Sequence, residues 1–437
     1  MTESQSIGYA WPGGRLRWRA CLLAAMSLAA SLGLATAAEA RKLTASCGQV
    51  LTKPGLYVLQ NDVGPCSSNG LTLAANNIKL DLNRHTVSGQ PLVTDADGKA
   101  TGGFGEGAGI QVVGRNSNEI RNGTVRYFDA GVLLVRSETR STTNSKVTNL
   151  NVTSNVGRQV FGEGGGNQSD FSDGIALLGA TGNTIESNTL TDNGSRAIGL
   201  IDGADDNGIM NNRITGNRGQ GVGMLSFNSR NVVHANTVTG NRSTGINIAF
   251  DNLDNKIHHN TVDSNGRDGI RTSVNSANNE FHDNIVTNNT RSGIAFDFGN
   301  DNRAFSNKVV GNTLDGIRIG GGDALAPTFG NEVSENDVQS NGRNGIVITC
   351  TQDENFALPS SVCISYDQRN EVLDNASTGN GTGELLVSGP RGLIGSFDLL
   401  DGNTSENPNY PAGAPECDNN TWKGNTFNTA FPDCTKG

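Results

Sequence analysis

The sequence predicts an all-β fold, a single-stranded right-handed parallel β-helix (a solenoid) with disulfide-stapled ends. Two observations support this prediction: a short apolar motif that recurs at an almost constant interval, and a composition that is poor in aromatic residues. The chain has 437 residues, of which 58 are glycine and only 5% are aromatic. So few aromatic residues cannot fill several separate compact cores. A stack of short coils avoids the difficulty, because each coil buries a few aliphatic side chains against its neighbours.

The first 40 residues are predicted to be a cleavable signal peptide. Three arginines precede an apolar run over residues 20–35, and Ala38-Glu39-Ala40 fits the small-x-small cleavage pattern. The apolar run is short for a membrane span, so we expect an exported chain, periplasmic or secreted, without a transmembrane segment after signal removal. An uncleaved anchor is the alternative. The net charge of −10 disfavours nucleic acid as a partner.

The repeated motif is a Gly-Ile or Gly-Val pair. From Gly174-Ile175 to Gly345-Ile346, with Ala197-Ile198 as a variant, successive pairs are 23, 24, 24, 24, 24, 23 and 29 residues apart. Apolar residues alternate in twos, as in Ile246/Ile248, which is typical of half-buried strands. Asparagines keep the same period in two further patterns, one at Asn183, Asn207, Asn231, Asn255, Asn279 and Asn331, and one that begins at Asn188…Asn193 and ends at Asn336…Asn341. Each unit is therefore predicted to contain three short strands separated by turns.

Stacked parallel coils would place the residue after each glycine inside the structure, and sequential parallel connections are strongly right-handed. One buried ladder is predicted to consist of Ile175, Val222, Ile246, Ile270, Ile294 and Ile317. Asparagine tolerates positive φ and bonds to neighbouring backbone. We therefore expect the asparagines to occupy the turns and to satisfy turn amides from coil to coil.

Cysteines are expected to staple both ends of the solenoid. The six cysteines that follow the signal peptide form three pairs that are local in sequence, Cys47–Cys66, Cys350–Cys363 and Cys417–Cys434. In an exported chain this pattern predicts disulfides. Metal ligation is the alternative, which the absence of Cys-x-x-Cys spacing and of nearby histidine disfavours. The predicted β-helix covers residues 41–416, and residues 417–437 form a disulfide-closed C-terminal cap.

The segment Leu80-Asp81-Leu82-Asn83-Arg84-His85-Thr86-Val87-Ser88-Gly89, followed by the asparagine-rich coils, resembles the bacterial right-handed parallel β-helix repeat proteins. These are relatives of the pectate-lyase-like superfamily and of periplasmic NosD-type proteins. The resemblance covers residues 50–435 and is specific for the fold. It implies a polysaccharide lyase, a hydrolase or a uronate epimerase, or a binding or structural protein.

Insertions interrupt the period beside the Gly-Ile strand at residues 90–107, 156–172, 320–330 and 350–368. Loops on a regular scaffold often carry function, so we expect these four to wall a groove along that sheet. If the residue after glycine points inwards, the second and fourth residues after it point outwards. In these outward rows, charged residues occur in neighbouring coils at Arg271, Asp297 and Arg318.

Arg271, Asp297 and Arg318 are therefore the candidate catalytic residues, and Asn247, Asp251 and Asp323 are candidates for substrate binding. A lyase needs a base and a group that neutralises the uronate carboxylate, which two arginines around an aspartate could supply, with or without calcium. A hydrolase needs two carboxylates, and Asp251 or Asp323 could provide the second. The alternative is a solvated stack of salt bridges on a β surface.

Other polar residues are given structural roles. Asp173, Asp268 and Asp315 directly precede the Gly-Ile pairs, and we expect them to cap turn amides. Ca²⁺ remains a candidate ligand for the acidic turns, although their carboxylates do not have the close sequence spacing of a calcium-binding loop. The histidines appear at different registers of the repeat, so we expect no histidine metal centre; they are His85, His234, His258, His259 and His282.

Two functional hypotheses follow from these patterns. The first is an exported carbohydrate-active protein, a lyase or hydrolase of an extended acidic polysaccharide that binds in the groove over the Gly-Ile strands. The second is a non-catalytic glycan-binding or cell-surface structural β-helix. It is favoured because the outward-facing positions of the early coils mostly hold apolar residues or glycine. A NosD-like metal-delivery role is disfavoured because no His/Met cluster is evident.

Overall fold

The computed structural model describes most of the chain from Ala40 onwards. The described residues are 40–91, 93–94, 100–102, 107–156, 172–320, 328–349, 369–381, 385–388, 392–395, 397–401 and 419–436. Residues 1–39 of the predicted signal peptide lie outside them, as do Asp323, Cys350, Cys363 and Cys417. Within these ranges, no helix combines the length and the hydropathy that a membrane span requires.

Each coil contributes one strand to a 14-stranded parallel sheet, which we call the Gly-Ile sheet. This sheet confirms the predicted β-helix. Its strands are Gln49–Leu51, Leu71–Leu73, Ala108–Val113, Ala130–Val135, Asp173–Leu178, Arg196–Ile201, Gln220–Leu225, Ile246–Ala249, Ile270–Ser273, Ile294–Asp297, Ile317–Gly320, Ile346–Thr349, Leu399–Asp401 and Ala430–Phe431.

The other strands form a 25-stranded parallel sheet with two columns. The first column contains Arg41–Leu43, Gly55–Leu59, Ile78–Asp81, Thr184–Glu186, Gly208–Met210, Val232–His234, Lys256–His258, Glu280–His282, Arg303–Phe305, Glu332–Ser334, Glu371–Leu373 and Thr421–Lys423. The second column contains Val63–Cys66, Thr86–Gly89, Thr189–Thr191, Arg213–Thr215, Thr237–Thr239, Thr261–Asp263, Ile285–Thr287, Lys308–Val310, Asp337–Gln339, Ala376–Thr378 and Thr426–Phe427. Glu119–Arg126 and Lys146–Thr153 run through both columns. Three strands per coil are thus confirmed.

In the part of the chain that the structure describes, three small elements stand apart from the two large sheets. Val93–Thr94 pairs antiparallel with Ala100–Gly102, and Leu385–Ser388 pairs antiparallel with Gly392–Gly395. A short 3-10 helix, Asp433–Lys436, lies close to the end of the chain.

The predicted aliphatic ladder is present in the Gly-Ile sheet. Ile175, Ile198, Val222, Ile246, Ile270, Ile294, Ile317 and Ile346 pair in register from coil to coil, and all are fully buried. The glycine before the ladder residue also faces inwards. At Gly269, a Cβ would lie 2.4 Å from Val286 Cγ1 and 2.7 Å from the carbonyl oxygen of Gly293. Glycine is required there because the coil interior leaves no space for a side chain.

Within the described residues, asparagines form three long ladders, which are buried except at Asn420 and Asn425 near the C-terminal end. In each, the side-chain oxygen of one asparagine accepts the backbone N–H and the side-chain amide of the asparagine in the preceding coil, as Asn279 does from Asn255 at 3.0 and 2.9 Å. The first ladder is Asn183, Asn207, Asn231, Asn255, Asn279, Asn302, Asn331, Asn370 and Asn420. The second is Asn188, Asn212, Asn236, Asn260, Asn284, Asn307, Asn336, Asn375 and Asn425. The third is Asn155, Asn193, Asn217, Asn241, Asn265, Asn289, Asn312, Asn341 and Asn380.

The coil-to-coil bonding predicted for asparagine is confirmed, but the expectation that these residues take positive φ is wrong. The residue just before the ladder position carries the positive φ, as in Asn278, where φ is 55°. This left-handed residue turns the chain sharply. The next side chain, Asn279, can then point into the coil and reach its partners.

The N-terminal staple is confirmed, since Cys47 and Cys66 form a disulfide. Cys434 is also disulfide-bonded, and its partner lies outside the described residues because Cys47 and Cys66 bond to each other. Trp422 is buried where Thr421–Lys423 extends the first column. The Cys350–Cys363 and Cys417–Cys434 pairings and the domain boundaries remain predictions.

Candidate functional site

Polar and charged side chains gather on the outer face of the Gly-Ile sheet. They come from three positions of the repeat: the residue just before the glycine and the second and fourth residues after it. The predicted outward rows are far less exposed than expected, since Asn247, Asp297 and Arg318 are 8%, 2% and 6% exposed. The stack of salt bridges expected as the alternative is present, but it is nearly buried rather than solvated. These charges lie in a desolvated environment, where ionic contacts are stronger than in water.

Arg271, Asp297 and Arg318 are in contact, as the sequence predicted. Arg318 Nη2 donates to Asp297 Oδ1 at 2.5 Å. Arg271 Nε lies 2.8 Å from Asp297 Oδ2, without the alignment of a hydrogen bond. The carboxylate is thus held between two guanidinium groups, and we call these residues the triad.

Strand register explains how the triad forms. Arg271, Ala295 and Arg318 are paired neighbours in three successive strands. Asp297 lies two residues beyond Ala295 on the middle strand. Because Ala295 is small, both arginine side chains can reach towards the middle coil, and strands about 4.8 Å apart bring them within reach of one carboxylate.

A second ion pair adjoins the triad. Arg343 contacts Asp315 through Nη2, and its Nε donates to Asp315 Oδ1 at 2.9 Å, while the Asn344 amide donates to the same oxygen at 2.8 Å. Burial raises the pKa of the Asp315 carboxyl, but Arg343, Arg318 and the Asn344 hydrogen bond lower it more, so the net pKa lies below the ordinary aspartate value. Arg318 is therefore electrostatically coupled to both Asp297 and Asp315.

A further buried ion pair, which sequence reasoning missed, lies on the earlier coils of the same face. Arg196 binds Asp173 in a bidentate manner, with Nε donating to Oδ1 at 2.9 Å and Nη2 donating to Oδ2 at 2.9 Å. A Cβ at Gly199 would lie 2.9 Å from Arg196 Nε, and one at Gly223 would lie 2.6 Å from Arg196 Cδ. The two glycines in the outward row thus make room for the arginine side chain. These glycines indicated that a large side chain could lie over them, but from the sequence they were interpreted as part of an uncovered surface.

The turn-capping role expected for the aspartates before glycine is wrong for Asp173 and Asp315, whose carboxylates pair with arginines from the next coil. Asp268 does bind a backbone amide, but it is that of Ser292 in the next coil, at 3.1 Å. Burial raises the pKa of the Asp173 carboxyl, and its Arg196 partner opposes that shift. All three carboxylates therefore stabilise contacts between coils.

The predicted substrate-binding residues differ in position. Asn247 pairs in register with Arg271 and so adjoins the triad. Asp251 lies in the turn after the same strand with φ of 58°, and among the described residues its side chain makes no hydrogen bond or ion pair with the triad. Asp323 lies outside the described part. In the acidic turns, Asp205 and Asp206 pair with Arg230, and no group of three carboxylates suitable for a cation is found within the described ranges.

The prediction that the histidines occupy different registers is wrong. His234, His258 and His282 pair in register on three successive strands of the first column. His258 Nδ1 lies 3.1 Å from His234 Nδ1 and 2.9 Å from His259 Nδ1. The signal was available in the sequence, because His234, His258 and His282 are spaced by 24 positions, which is the coil period.

Comparisons with known proteins agree with the fold. Residues 106–314 match the model of a family described as the right-handed beta helix region. No curated protein sequence matches the chain. The resemblance to right-handed β-helix proteins is confirmed.

Solved structures with the same fold share little sequence with this chain. A variant of the periplasmic alginate epimerase AlgG is 14% identical with a TM-score of 0.50, and the match covers 69% of this chain and 76% of that one. The Dettilon tailspike protein is 16% identical with a TM-score of 0.51, over 67% of this chain and 57% of that one. The A-module of an Azotobacter vinelandii mannuronan C-5 epimerase is 12% identical with a TM-score of 0.47, over 77% and 86%. At these identities the likeness concerns the fold.

Proposed function

We propose that this right-handed parallel β-helix protein is exported, binds an extended acidic polysaccharide along the outer face of the Gly-Ile sheet, and cleaves it by elimination at the triad. The observation that supports the proposal is the convergence of Arg271 and Arg318 on the single carboxylate of Asp297. Guanidinium groups bind carboxylates through paired N–H donors and keep their charge when desolvated. An alginate epimerase with the same fold shows that a parallel β-helix can act on a polysaccharide.

The triad suits elimination from a uronate. Arg271 and Arg318 would neutralise the substrate carboxylate, which makes the neighbouring C5 proton easier to remove. The substrate would compete with Asp297 for the same guanidinium donors and so release one of its oxygens to act as the base. Asp297 would take the C5 proton, a C4–C5 double bond would form, and the C4–oxygen bond would break, with the leaving oxygen taking a proton from solvent.

Hydrolysis is the less favoured reaction for these residues. A glycoside hydrolase needs two carboxyl groups about 5–9.5 Å apart, one of them protonated to act as the acid. The carboxylate coupled to the triad is Asp315, and Arg343 and Arg318 hold its pKa below the ordinary value. A carboxyl group in that environment is a poor proton donor.

A second candidate is a non-catalytic glycan-binding β-helix. The low exposure of Asp297 and Arg318 favours it, because a substrate can reach nearly buried side chains only if the surrounding structure rearranges. In this case the ion pairs serve the scaffold, and binding uses other side chains of the same face.

The test is a screen of the full chain against polyuronates and neutral glycans, with the unsaturated product followed by ultraviolet absorbance. We expect product from a polyuronate, and loss of at least 100-fold in kcat/KM for Arg271→Ala and Arg318→Ala, about the effect of removing one charge-stabilising donor. Arg303→Ala is the matched control, since this arginine pairs with Glu332 on the first column. Saturable glycan binding without product would favour the second candidate. Absence of both binding and product would overturn the proposal.

A further inference from the structure

Four histidines and an aspartate form a cluster on the outer side of the first column. The rings of His234 and His258 have centroids 4.4 Å apart, and those of His258 and His282 are stacked at 4.8 Å with an interplanar angle of 3°. His259 follows His258 with φ of 56°, and its ring stands edge-on to that of His258 at 81°. The left-handed turn at His259 thus brings a fourth imidazole back over a row that stacking has already aligned.

We propose that His234, His258 and His259 bind a divalent transition-metal ion of the zinc and copper class. This assignment is independent of the polysaccharide proposal, because His234 and His258 lie on the first column and His259 directly follows it, whereas the triad lies on the Gly-Ile sheet. One coordinating nitrogen of each imidazole can be chosen so that all three lie within 4.8 Å of one another. Imidazole is a preferred ligand for zinc, copper and nickel, whereas calcium and magnesium prefer oxygen.

The distances between nitrogens match a coordination sphere. Around a zinc ion with bonds of about 2.0–2.1 Å, nitrogens at tetrahedral angles lie about 3.3 Å apart. The two Nδ1–Nδ1 distances, 3.1 Å from His258 to His234 and 2.9 Å from His258 to His259, fall just inside that value. A small separation of the rings would therefore admit the ion. Three protein ligands with an open fourth position are typical of accessible metal sites.

Neighbouring residues favour a cation at this place. His282 packs between His258 and Phe305, whose ring is stacked on His282 with centroids 4.8 Å apart. The ring of His258 is thereby held against one face of a fixed stack. Asp283 Oδ2 lies 2.8 Å from His282 Nδ1 and places negative charge beside the cluster. His259 is exposed, so an ion can enter from solvent.

A second group of potential ligands shares one residue with the first. It consists of His259, His282 and Asp283, whose ligand atoms also lie within 4.8 Å of one another. We assign the ion to the three-histidine group because two of its nitrogen pairs, His258–His234 and His258–His259, already lie close to the distance between two nitrogens bound to one ion. In the second group, the His282 nitrogen is engaged with Asp283, a contact that orients the histidine beside the ion.

The experiment is isothermal titration of the chelator-treated full chain with Zn²⁺ and with Cu²⁺, using protein without a histidine tag. We expect one ion per chain, and a Cu²⁺ electron paramagnetic resonance spectrum with nitrogen hyperfine coupling. His258→Ala and His259→Ala should weaken binding at least 100-fold. His259 is exposed, so its replacement is compatible with folding, which the circular dichroism spectrum of the variant will verify.

His85→Ala is the matched control, because His85 pairs with Asp62 away from the cluster and its replacement should leave the affinity unchanged. The variant His234→Ala distinguishes the two groups of ligands. If it retains full affinity while His282→Ala and Asp283→Ala lose it, the three-histidine assignment is overturned. Equal affinity of the wild type and a His234/His258/His259 triple alanine variant, or no saturable binding by the wild type, would overturn the site altogether.

Discussion

Replacing one ladder asparagine tests how much of the stability resides in the stacked amides. Asn279 is fully buried, and its side chain makes four hydrogen bonds. Its amide donates to Asn252 O at 3.2 Å and to Asn302 Oδ1 at 2.9 Å, and its oxygen accepts the backbone N–H and the side-chain amide of Asn255. The Asn252 carbonyl keeps a bond from Ala277 N, and Asn255 Nδ2 keeps one to Asn228 O. The Asn255 N–H, however, loses its partner.

Asn279→Ala should therefore lower the free energy of unfolding by about 5–7 kcal/mol, from four hydrogen bonds at about 1 kcal/mol each and about 1–3 kcal/mol for one buried unpaired N–H. The assay is urea unfolding followed by circular dichroism, combined with hydrogen exchange at the Asn255 amide, since a solenoid can open locally. Asn278→Gly is the matched control: this neighbouring asparagine is exposed with φ of 55°, which glycine accepts readily. A loss below about 1 kcal/mol with unchanged exchange at Asn255 would refute the reasoning, because one net hydrogen bond alone contributes that much.

Three further perturbations follow from the ion pairs and the disulfide. Arg196→Met should destabilise the chain by about 3–5 kcal/mol, because it leaves the Asp173 carboxylate buried without its partner. Adding Asp173→Asn to the same chain should recover much of the lost stability. Equal urea midpoints for the single and double variants would contradict this. Asp315→Asn should destabilise the chain at neutral pH and progressively less as the pH falls. The pKa of Asp315 is lower in the folded than in the unfolded state. The stability that the Asp315 carboxylate contributes is therefore complete above the unfolded-state pKa and is lost as the pH falls through the folded-state pKa. Unfolding curves across acidic pH will check this, and a penalty independent of pH would exclude it. Replacing Cys47 and Cys66 by serine opens a loop with a sequence separation of 19 residues and should cost about 3 kcal/mol, as measured against the oxidised wild type.

The fold was predictable from the sequence because a solenoid repeats one local solution. The interval between Gly245-Ile246 and Gly269-Ile270 equals the length of one coil, and the residue after each glycine is buried at every turn. Asparagine ladders follow from the same repetition, since identical residues in successive coils stack directly. The conformation within the turn was not predictable, because the positive φ belongs to the residue before the ladder asparagine, and residues as different as Asp254 and Ala235 occupy that place.

The candidate site was predictable only in part. The alternation of inward and outward positions along each strand placed Arg271, Asp297 and Arg318 in neighbouring coils of one face, and the structure confirms their contact. The sequence did not reveal that Arg196 lies over Gly199. A glycine in an outward-facing position can be exposed to solvent or covered by a neighbouring side chain, and the sequence does not distinguish the two. Nor did it separate a solvated charge from a buried one, since burial depends on everything packed around the sheet.

By itself, the sequence determined the winding of this chain, the aliphatic columns and the asparagine ladders, all of which depend on period and residue type. Only the tertiary structure decided which buried charges meet across coils: Asp173 with Arg196 and Asp315 with Arg343. The physical reason is that parallel stacking places residues a full coil apart in sequence at the spacing of adjacent strands. Their side chains can then lean across one or two strands, and the direction they take depends on the space left by neighbours such as Ala295 and Gly223.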